Sequence, residues 1–329
     1  METLRMGNAP CSWGLLENQD QSKQIAFDQM LDELKQTGYT GTELGDWGYM
    51  PTDPQVLAKE LGQRELTMLG AFVPVAMKYA SKHAEGAARA VKTAQLLAAL
   101  ATEPKPYLVL ADDNGADPVR TKNAGRITAA QGLSRDEWKT FAEGANRVAR
   151  AVFDATGLRT VLHHHSAGFV ETPDEIAMLL DLTDADKLGL VFDSGHYYNG
   201  AGVEGVDLVA ALDRYRERIW YIHFKDIDPR VAAEARILAW DYFTAMRHGL
   251  FCELGKGAVD FAALLQWLRA RNYQGYVLVE QDVLPGMGTP KESAQRNLDY
   301  IRSIEWNFTG AEAATFATQA EHAELARSL

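Results

Sequence analysis

Short runs of β-forming residues alternate with longer stretches of helical periodicity along the whole chain. This alternation predicts parallel strands joined by helical crossovers. Eight strand candidates lie at Met6–Pro10, Gly41–Leu44, Leu66–Val73, Tyr107–Ala111, Thr160–His165, Leu188–Asp193, Trp220–Lys225 and Tyr276–Glu280. The helical stretches lie at Phe27–Gln36, His83–Ala101, Asp136–Ala155, Pro173–Leu182, Asp207–Arg214, Phe261–Arg271 and Lys291–Ile304.

Eight β/α units favour a closed (β/α)8 barrel, a TIM barrel, as a single domain over residues 1–305. The competing open, doubly wound sheet usually has a G-x-G-x-x-G turn after its first strand, whereas this chain has APCSWG there. The segment Ile227–Val259 is longer than a usual crossover, so we expect an elaborated loop and helix over the barrel mouth. Residues 306–329 are rich in Ala and Glu and predict a C-terminal helical extension, which would suit a contact within a homo-oligomer.

The net charge of the chain argues against some classes of binding partner. Lys and Arg number 33 against 45 for Asp and Glu, and the resulting net charge of -12 repels phosphate backbones and anionic membranes. We therefore expect neither nucleic acid nor membrane as a partner. The two cysteines, Cys11 and Cys252, are too few for a disulfide framework, and the sequence shows neither a signal-peptide-like start nor a membrane-spanning run. These features predict a cytoplasmic protein.

Four of the strand candidates close with polar side chains. His163, His164 and His165 end TVLHHHS, Asp193 and His196 end LGLVFDSGH, His223 lies in IWYIHFKD, and Glu280 ends GYVLVE. Reactive groups of a barrel stand at the carboxyl ends of its strands, and a carboxylate there is costly to bury unless it is paired, protonated or bound to a cation. Each residue alone has the alternative of a cap or a hydrogen-bonded core residue.

Their coincidence on four successive strands predicts one shared divalent metal site, with a purely structural polar cluster as the alternative. Mixed imidazole and carboxylate ligands suit Mn²⁺ or Co²⁺, with Zn²⁺, Fe²⁺ and Mg²⁺ as further candidates. Alternation along a strand puts His163 and His165 on one face and His164 on the other. We favour His163 over His165 as the ligand, and we expect His165 to lie nearer the substrate.

Several motifs give the chain a family resemblance. DSGH, HFKD and VLVEQD resemble, in that order, the ends of strands six to eight in the xylose isomerase-like barrel superfamily. Within that superfamily, GNAPCSWG, GYTGTELGDWGYMPTDP, ETPDEI after H-x-H, and DYFTAMRHGLFCELGKGAVDF are similar to the inosose dehydratase family. His163 stands where many superfamily members have Glu, a departure that inosose dehydratases share. Leu254 stands where that branch has Pro.

The resemblance implies a metal-dependent lyase that removes water from 2-keto-myo-inositol, or a similar cyclic polyol ketone, in inositol catabolism. It implies His163, Asp193, His223 and Glu280 as ligands of a metal that acts as a Lewis acid. The barrel mouth then offers four candidates for proton transfer, namely Glu43, His165, His196 and Lys225.

The same candidates have structural alternatives. Glu43 would also suit an ion pair with Lys or Arg, His196 would suit orienting Asp193, and Lys225 would suit an ion pair with Asp226. The substrate-contact candidates are Trp13 and Trp47, for stacking on a polyol ring, and Lys256, which lies between two glycines. Both tryptophans would equally suit the core, and Lys256 would suit a solvated loop.

Two other functions remain open from the sequence. A ketose isomerase or epimerase would use the same metal and enediolate chemistry but return the proton to carbon. A barrel that binds a sugar without chemistry is the non-enzymatic alternative. An apurinic endonuclease shares the barrel, but it normally needs more metal ligands and a basic groove, and the net charge of -12 argues against it.

Overall fold

The computed structural model describes residues 4–14, 25–202, 204–284 and 286–304. Eight parallel strands close into a barrel in the order β1, β10, β7, β6, β5, β4, β3, β2, which confirms the predicted (β/α)8 fold. Their bounds are β1 Arg5–Asn8, β2 Gly41–Glu43, β3 Thr67–Pro74, β4 Tyr107–Ala111, β5 Thr160–His163, β6 Leu188–Asp193, β7 Ile219–Phe224 and β10 Tyr276–Val279. A separate two-stranded antiparallel sheet pairs β8 (Asp226–Ile227) with β9 (Phe251–Cys252).

Helices cover the outside of the barrel. Their bounds are α1 Phe27–Thr37, α2 Pro54–Gln63, α3 Ala80–Ala99, α4 Pro118–Asn123, α5 Arg135–Thr156, α6 Pro173–Leu182, α7 Ser194–Ala201, α8 Leu208–Tyr215, α9 Pro229–Ile237, α10 Tyr242–Arg247 and α11 Phe261–Ala270. A further helix, α12, occupies residues 290–304. Asp53 and Thr172 cap α2 and α6 ahead of first-turn prolines, because their side-chain oxygens accept backbone N–H groups of the first turn.

The apolar residues form two layers, as alternation along parallel strands requires. The barrel interior holds a small cluster that includes Leu69, Val109, Val161, Val191 and Leu278. A larger cluster fills the space between the strands and the helices. At Gly189 on β6 a Cβ would lie 2.3 Å from the Trp220 ring, so close packing of that indole requires glycine.

The long segment after β7 forms an elaboration over the mouth, as predicted. It contains two helices, α9 and α10, and the small β8–β9 sheet. The Asp226 carboxylate accepts backbone N–H groups of Gly255, Gly257 and Val259, and so it anchors the return of this segment. The ion pair between Asp226 and Lys225 that the sequence offered as an alternative is therefore wrong.

Two further predictions concern the C-terminal segment and a membrane-spanning helix. The predicted C-terminal helical extension at 306–329 lies outside the described residues, and with it the predicted homo-oligomer contact. Among the helices that the structure describes, none is both long enough and apolar enough to span a bilayer.

Candidate metal centre

The carboxyl ends of four neighbouring strands bring four donor side chains together. His163 ends β5, Asp193 ends β6, His223 lies on β7, and Glu280 follows β10 directly. One donor atom from each of the four lies within 4.8 Å of the others. His163 Nε2 is 3.7 Å from Asp193 Oδ2, and His223 Nδ1 is 3.0 Å from Glu280 Oε1. Two ligands of one ion bound at about 2.1 Å have comparable separations.

Donor atoms of three of these four residues are buried and lack hydrogen-bond partners within the part of the chain that the structure describes. They are both ring nitrogens of His163, both ring nitrogens of His223, and Asp193 Oδ2. Buried polar atoms without a partner are costly, and a cation removes that cost. Asp193 is the N-cap residue of α7, and its Oδ1 accepts the His196 N–H at 2.7 Å. Its other oxygen, Oδ2, is therefore left for the donor group. The residues therefore fit a divalent ion.

Two more imidazoles lie beside the four donors, and Ser166 contacts both of them. His165 and His196 have ring centroids 3.8 Å apart. His165 Nδ1 is 2.6 Å from the Ser166 carbonyl oxygen, and the Ser166 N–H donates to His196 Nδ1 at 3.3 Å. Ser166 Oγ is 3.1 Å from the same Nδ1 and accepts from Asn199 Nδ2 at 2.9 Å.

These contacts assign opposite tautomers to the two neutral rings. A carbonyl oxygen only accepts, so His165 carries its proton on Nδ1 and leaves a lone pair on Nε2. A backbone N–H only donates, so His196 accepts at Nδ1 and carries its proton on Nε2. That Nε2 is buried and has no hydrogen-bond partner among the described residues. The arrangement supplies one proton acceptor and one hydrogen-bond donor side by side.

The surroundings keep both rings neutral near pH 7. Burial, assisted by the nearby His163, lowers the pKa of His165 to about 3. Burial, assisted by His165, holds the pKa of His196 well below its usual value. His223 behaves differently, because burial lowers its pKa but Glu280 and Glu43 outweigh that effect and raise it to about 10. Without an ion, the centre therefore holds an extra proton on His223.

Lys225 reaches the same mouth from the end of β7. Its Nζ lies 3.2 Å from Asp282 Oδ2 and 3.5 Å from Glu280 Oε2, and it stands over the Phe251 ring at 4.6 Å from the centroid. Burial lowers the pKa of Lys225, but the Asp282 and Glu280 carboxylates raise it well above its usual value. Lys225 is therefore a fixed ammonium at the edge of the centre.

Glu43 also joins the centre, because its Oε1 is 3.4 Å from His223 Nε2 at the end of β2. His164 is excluded from it, as alternation predicted. The His164 ring is buried on the other face of β5 and its Nε2 accepts the backbone N–H of Asp193 at 3.2 Å. The structure thus places His163, rather than His165, in the four-residue group.

Each of the three predicted substrate-contact residues has a partner outside the donor group. Trp13 is buried, and its Nε1 donates to Glu33 of α1 at 2.8 Å, so this indole packs between barrel and helix. Trp47 is 41% exposed, and Lys92 from α3 covers its ring at 4.4 Å. The exposed Lys256 pairs with Glu253 on the loop after β9.

Sequence reasoning missed Ser166, Asn199, Phe251 and Asp282. Ser166 directly follows the histidine triplet and Asp282 lies two residues beyond Glu280, so their positions were the available signal. Asn199 lies on α7 and Phe251 on β9, and neither carries a local pattern that points to the mouth.

A closed parallel barrel that gathers imidazole and carboxylate donors at its carboxyl-terminal mouth defines the class of (β/α)8 barrels with a candidate metal centre. Within that class, the chain belongs to the xylose isomerase-like TIM barrel family, whose sequence profile matches residues 31–304.

Individual relatives agree with this placement. The chain is 29% identical to an inosose dehydratase of Clostridium perfringens over 299 residues, which is 91% of this chain and 97% of the relative. This confirms the resemblance to inosose dehydratases. Two solved structures share the fold. They are the IOLI protein with a bound zinc atom (TM-score 0.64, 17% identity, 92% of this chain and 98% of that one) and the E. coli 3-keto-D-glucoside 4-epimerase YcjR (TM-score 0.62, 16% identity, 92% and 100%).

Proposed function

We propose that the chain is a metal-dependent lyase that removes water from 2-keto-myo-inositol or a closely similar cyclic polyol ketone. The observation that carries the proposal is the group of four close donor residues, three of them with buried donor atoms that lack a hydrogen-bond partner among the described residues, beside two neutral imidazoles of opposite tautomer. The similarity to inosose dehydratases over nearly the whole chain supports the choice of reaction. His163, Asp193, His223 and Glu280 would hold the ion, which supplies Lewis acidity toward a ketone oxygen when bound.

His165 is the proton carrier of this proposal. Its Nε2 lone pair accepts the proton from the carbon beside the ketone, and the Nδ1–H bond to the Ser166 carbonyl keeps the ring in place. The conjugate acid of His165 then donates the same proton to the hydroxyl that leaves from the next carbon. The C–H and C–O bonds break, a C=C bond forms, and one water departs without net loss or gain of protons by the protein.

His196 and Lys225 act as donors to substrate oxygens. The proton on His196 Nε2 has no competing acceptor in the described part of the chain, so it is available to a hydroxyl or a carbonyl. The Lys225 ammonium is fixed by Asp282 and Glu280 and stabilises negative charge that develops on oxygen.

The test incubates the purified protein with Mn²⁺ or Co²⁺ and 2-keto-myo-inositol and follows the ultraviolet absorbance of the dione product. We expect product formation with added metal and none with chelator. Epimerised ketose without dione would replace this proposal with the epimerase alternative. Stoichiometric binding of the ketone without any chemical change would replace it with a non-catalytic binder.

The matched variant is His165→Asn, because the Asn side-chain N–H can keep the bond to the Ser166 carbonyl while the base is lost. We expect His165→Asn to bind the metal as the wild type does, but to lose turnover and the exchange of substrate C–H for deuterium in D₂O. Retention of that exchange would show that another group removes the proton.

A further inference from the structure

Glu43 is a buried carboxylate whose role the sequence left open between acid–base catalyst and ion-pair partner. It stands at the end of β2 and faces one edge of the His223 ring. The two ring nitrogens of His223 have different neighbours, because Nε2 lies 3.4 Å from Glu43 Oε1 and Nδ1 lies 3.0 Å from Glu280 Oε1. Each nitrogen of this imidazole thus faces its own carboxylate.

The two carboxylates differ in their relation to the metal centre. Glu280 belongs to the group of four mutually close donors, and Glu43 does not. The Nδ1 edge of His223 therefore lies on the side of the other ligands. A neutral imidazole that offers the Nδ1 lone pair to an ion carries its proton on Nε2, and a proton buried at that depth needs an acceptor. Glu43 is the carboxylate positioned to accept it.

The other contacts of Glu43 agree with an accepting role. Among the described residues, Glu43 forms no ion pair with Lys or Arg, and its one charged neighbour within 4 Å is His223. Tyr221 lies below it, with its ring 4.8 Å from His223. Glu43 Oε1 is buried and has no hydrogen-bond partner among the described residues, so it can accept a proton.

We propose that Glu43 is a positioning residue, which accepts the Nε2 proton of His223 and so turns the Nδ1 lone pair toward the bound ion. The inference rests on the proposed metal centre, and it assigns Glu43 to metal affinity instead of to proton transfer with the substrate.

The test compares Glu43→Ala and Glu43→Gln by titrating metal-free protein with Co²⁺, followed by calorimetry and by the visible absorption of the bound ion. We expect Glu43→Ala to weaken Co²⁺ binding about 10- to 100-fold, as loss of a carboxylate behind a ligating histidine does. Glu43→Gln should recover most of the affinity, because its amide oxygen still accepts from Nε2. Any loss of ketone turnover should accompany the loss of Co²⁺ affinity, and it should be smaller in Glu43→Gln than in Glu43→Ala.

Asp112→Asn is the control, since Asp112 is also a buried carboxylate just past a strand, but it accepts the Phe169 N–H and is outside the metal group. Its Co²⁺ affinity should equal that of the wild type. Wild-type Co²⁺ affinity in Glu43→Ala, with turnover lost, would overturn the inference and make Glu43 an acid–base catalyst.

Two further outcomes separate this inference from the proposed reaction. If the wild type binds Co²⁺ but leaves the ketone unchanged, the reaction fails while the affinity comparison still tests Glu43. If the wild type binds no Co²⁺, the role of Glu43 is overturned together with the metal centre. Circular dichroism checks the fold of each variant, and Glu43→Gln provides the comparison if Glu43→Ala does not fold.

Discussion

Glu171 gives the sharpest prediction of pH-dependent stability. This buried carboxylate accepts the Gly125 N–H at 2.6 Å and the Ala167 N–H at 2.7 Å, and so it holds the loop that follows the histidine triplet. Ala167 has φ of 67°, a conformation that is unfavourable for a residue with a Cβ. Burial raises the pKa of Glu171 from 4.5 to about 7, although Arg120 opposes that rise.

The raised pKa of Glu171 makes the folded protein less stable as the pH rises. Between about pH 4.5 and pH 7 the folded protein holds a proton on Glu171 that the unfolded chain has lost, so the free energy of unfolding decreases as pH rises through this window. A pKa difference of about 2.5, at about 1.4 kcal/mol for each unit, gives a loss of roughly 3 kcal/mol between pH 4.5 and pH 8.

Urea denaturation of metal-free wild type and Glu171→Gln between pH 5 and pH 8 measures this contribution. The amide cannot ionise, so the wild type should lose up to about 3 kcal/mol more than the variant across that range. The amide also accepts only one of the two N–H groups, which lowers stability by about 1–3 kcal/mol at every pH and leaves the comparison of slopes unaffected. Parallel curves for the two proteins would refute the reasoning.

Three other perturbations test the centre and the packing around it. Binding of Co²⁺ near pH 7 should release about one proton, and the Co²⁺ affinity should rise by up to about tenfold per pH unit, because His223 has a pKa of about 10 and must lose its proton before it binds the ion. Calorimetry in buffers of different ionisation enthalpy measures the proton release. A binding heat that does not depend on the buffer would contradict this prediction. Gly189→Ala should lower the free energy of unfolding by about 1–3 kcal/mol, since its Cβ would meet the Trp220 ring at 2.3 Å. A urea midpoint equal to that of the wild type would contradict this packing argument. Arg120→Leu should lower the free energy of unfolding by about 3–5 kcal/mol, because it leaves Glu175 buried without the guanidinium that binds both of its oxygens at 2.7 and 2.8 Å. The control is Lys139→Leu, which removes an exposed ion pair and should change the free energy of unfolding by less than about 1 kcal/mol.

The sequence predicts the barrel and its donors because both depend on local pattern. All eight strands were predicted within two residues at each end, since β-rich runs of four to eight residues alternate with amphipathic helices. Asp193, His223 and Glu280 could be singled out because each follows or closes an apolar run. In a barrel, such strand ends converge without further information.

The contacts between distant side chains could not be predicted in this way. Ser166 contacts both His196 and Asn199 across about thirty residues of chain, and no periodicity encodes such pairs. The neighbours of the aromatic side chains could not be predicted for a related reason. Trp13 and Trp47 are near the ends of strands in sequence, but Glu33 and Lys92 determine where their rings lie.

The donor residues of the centre and the aromatic rings beside it come from different parts of the chain. The four donors belong to the barrel strands or follow them directly, whereas Phe251 and Tyr242, whose rings contact His196 and His165, come from the segment between β7 and α11. Exchange of that segment would alter the rings that pack on His165 and His196 and leave the donors in place. In the proposed enzyme, substrate preference could therefore change through this segment while the four donor residues stay the same.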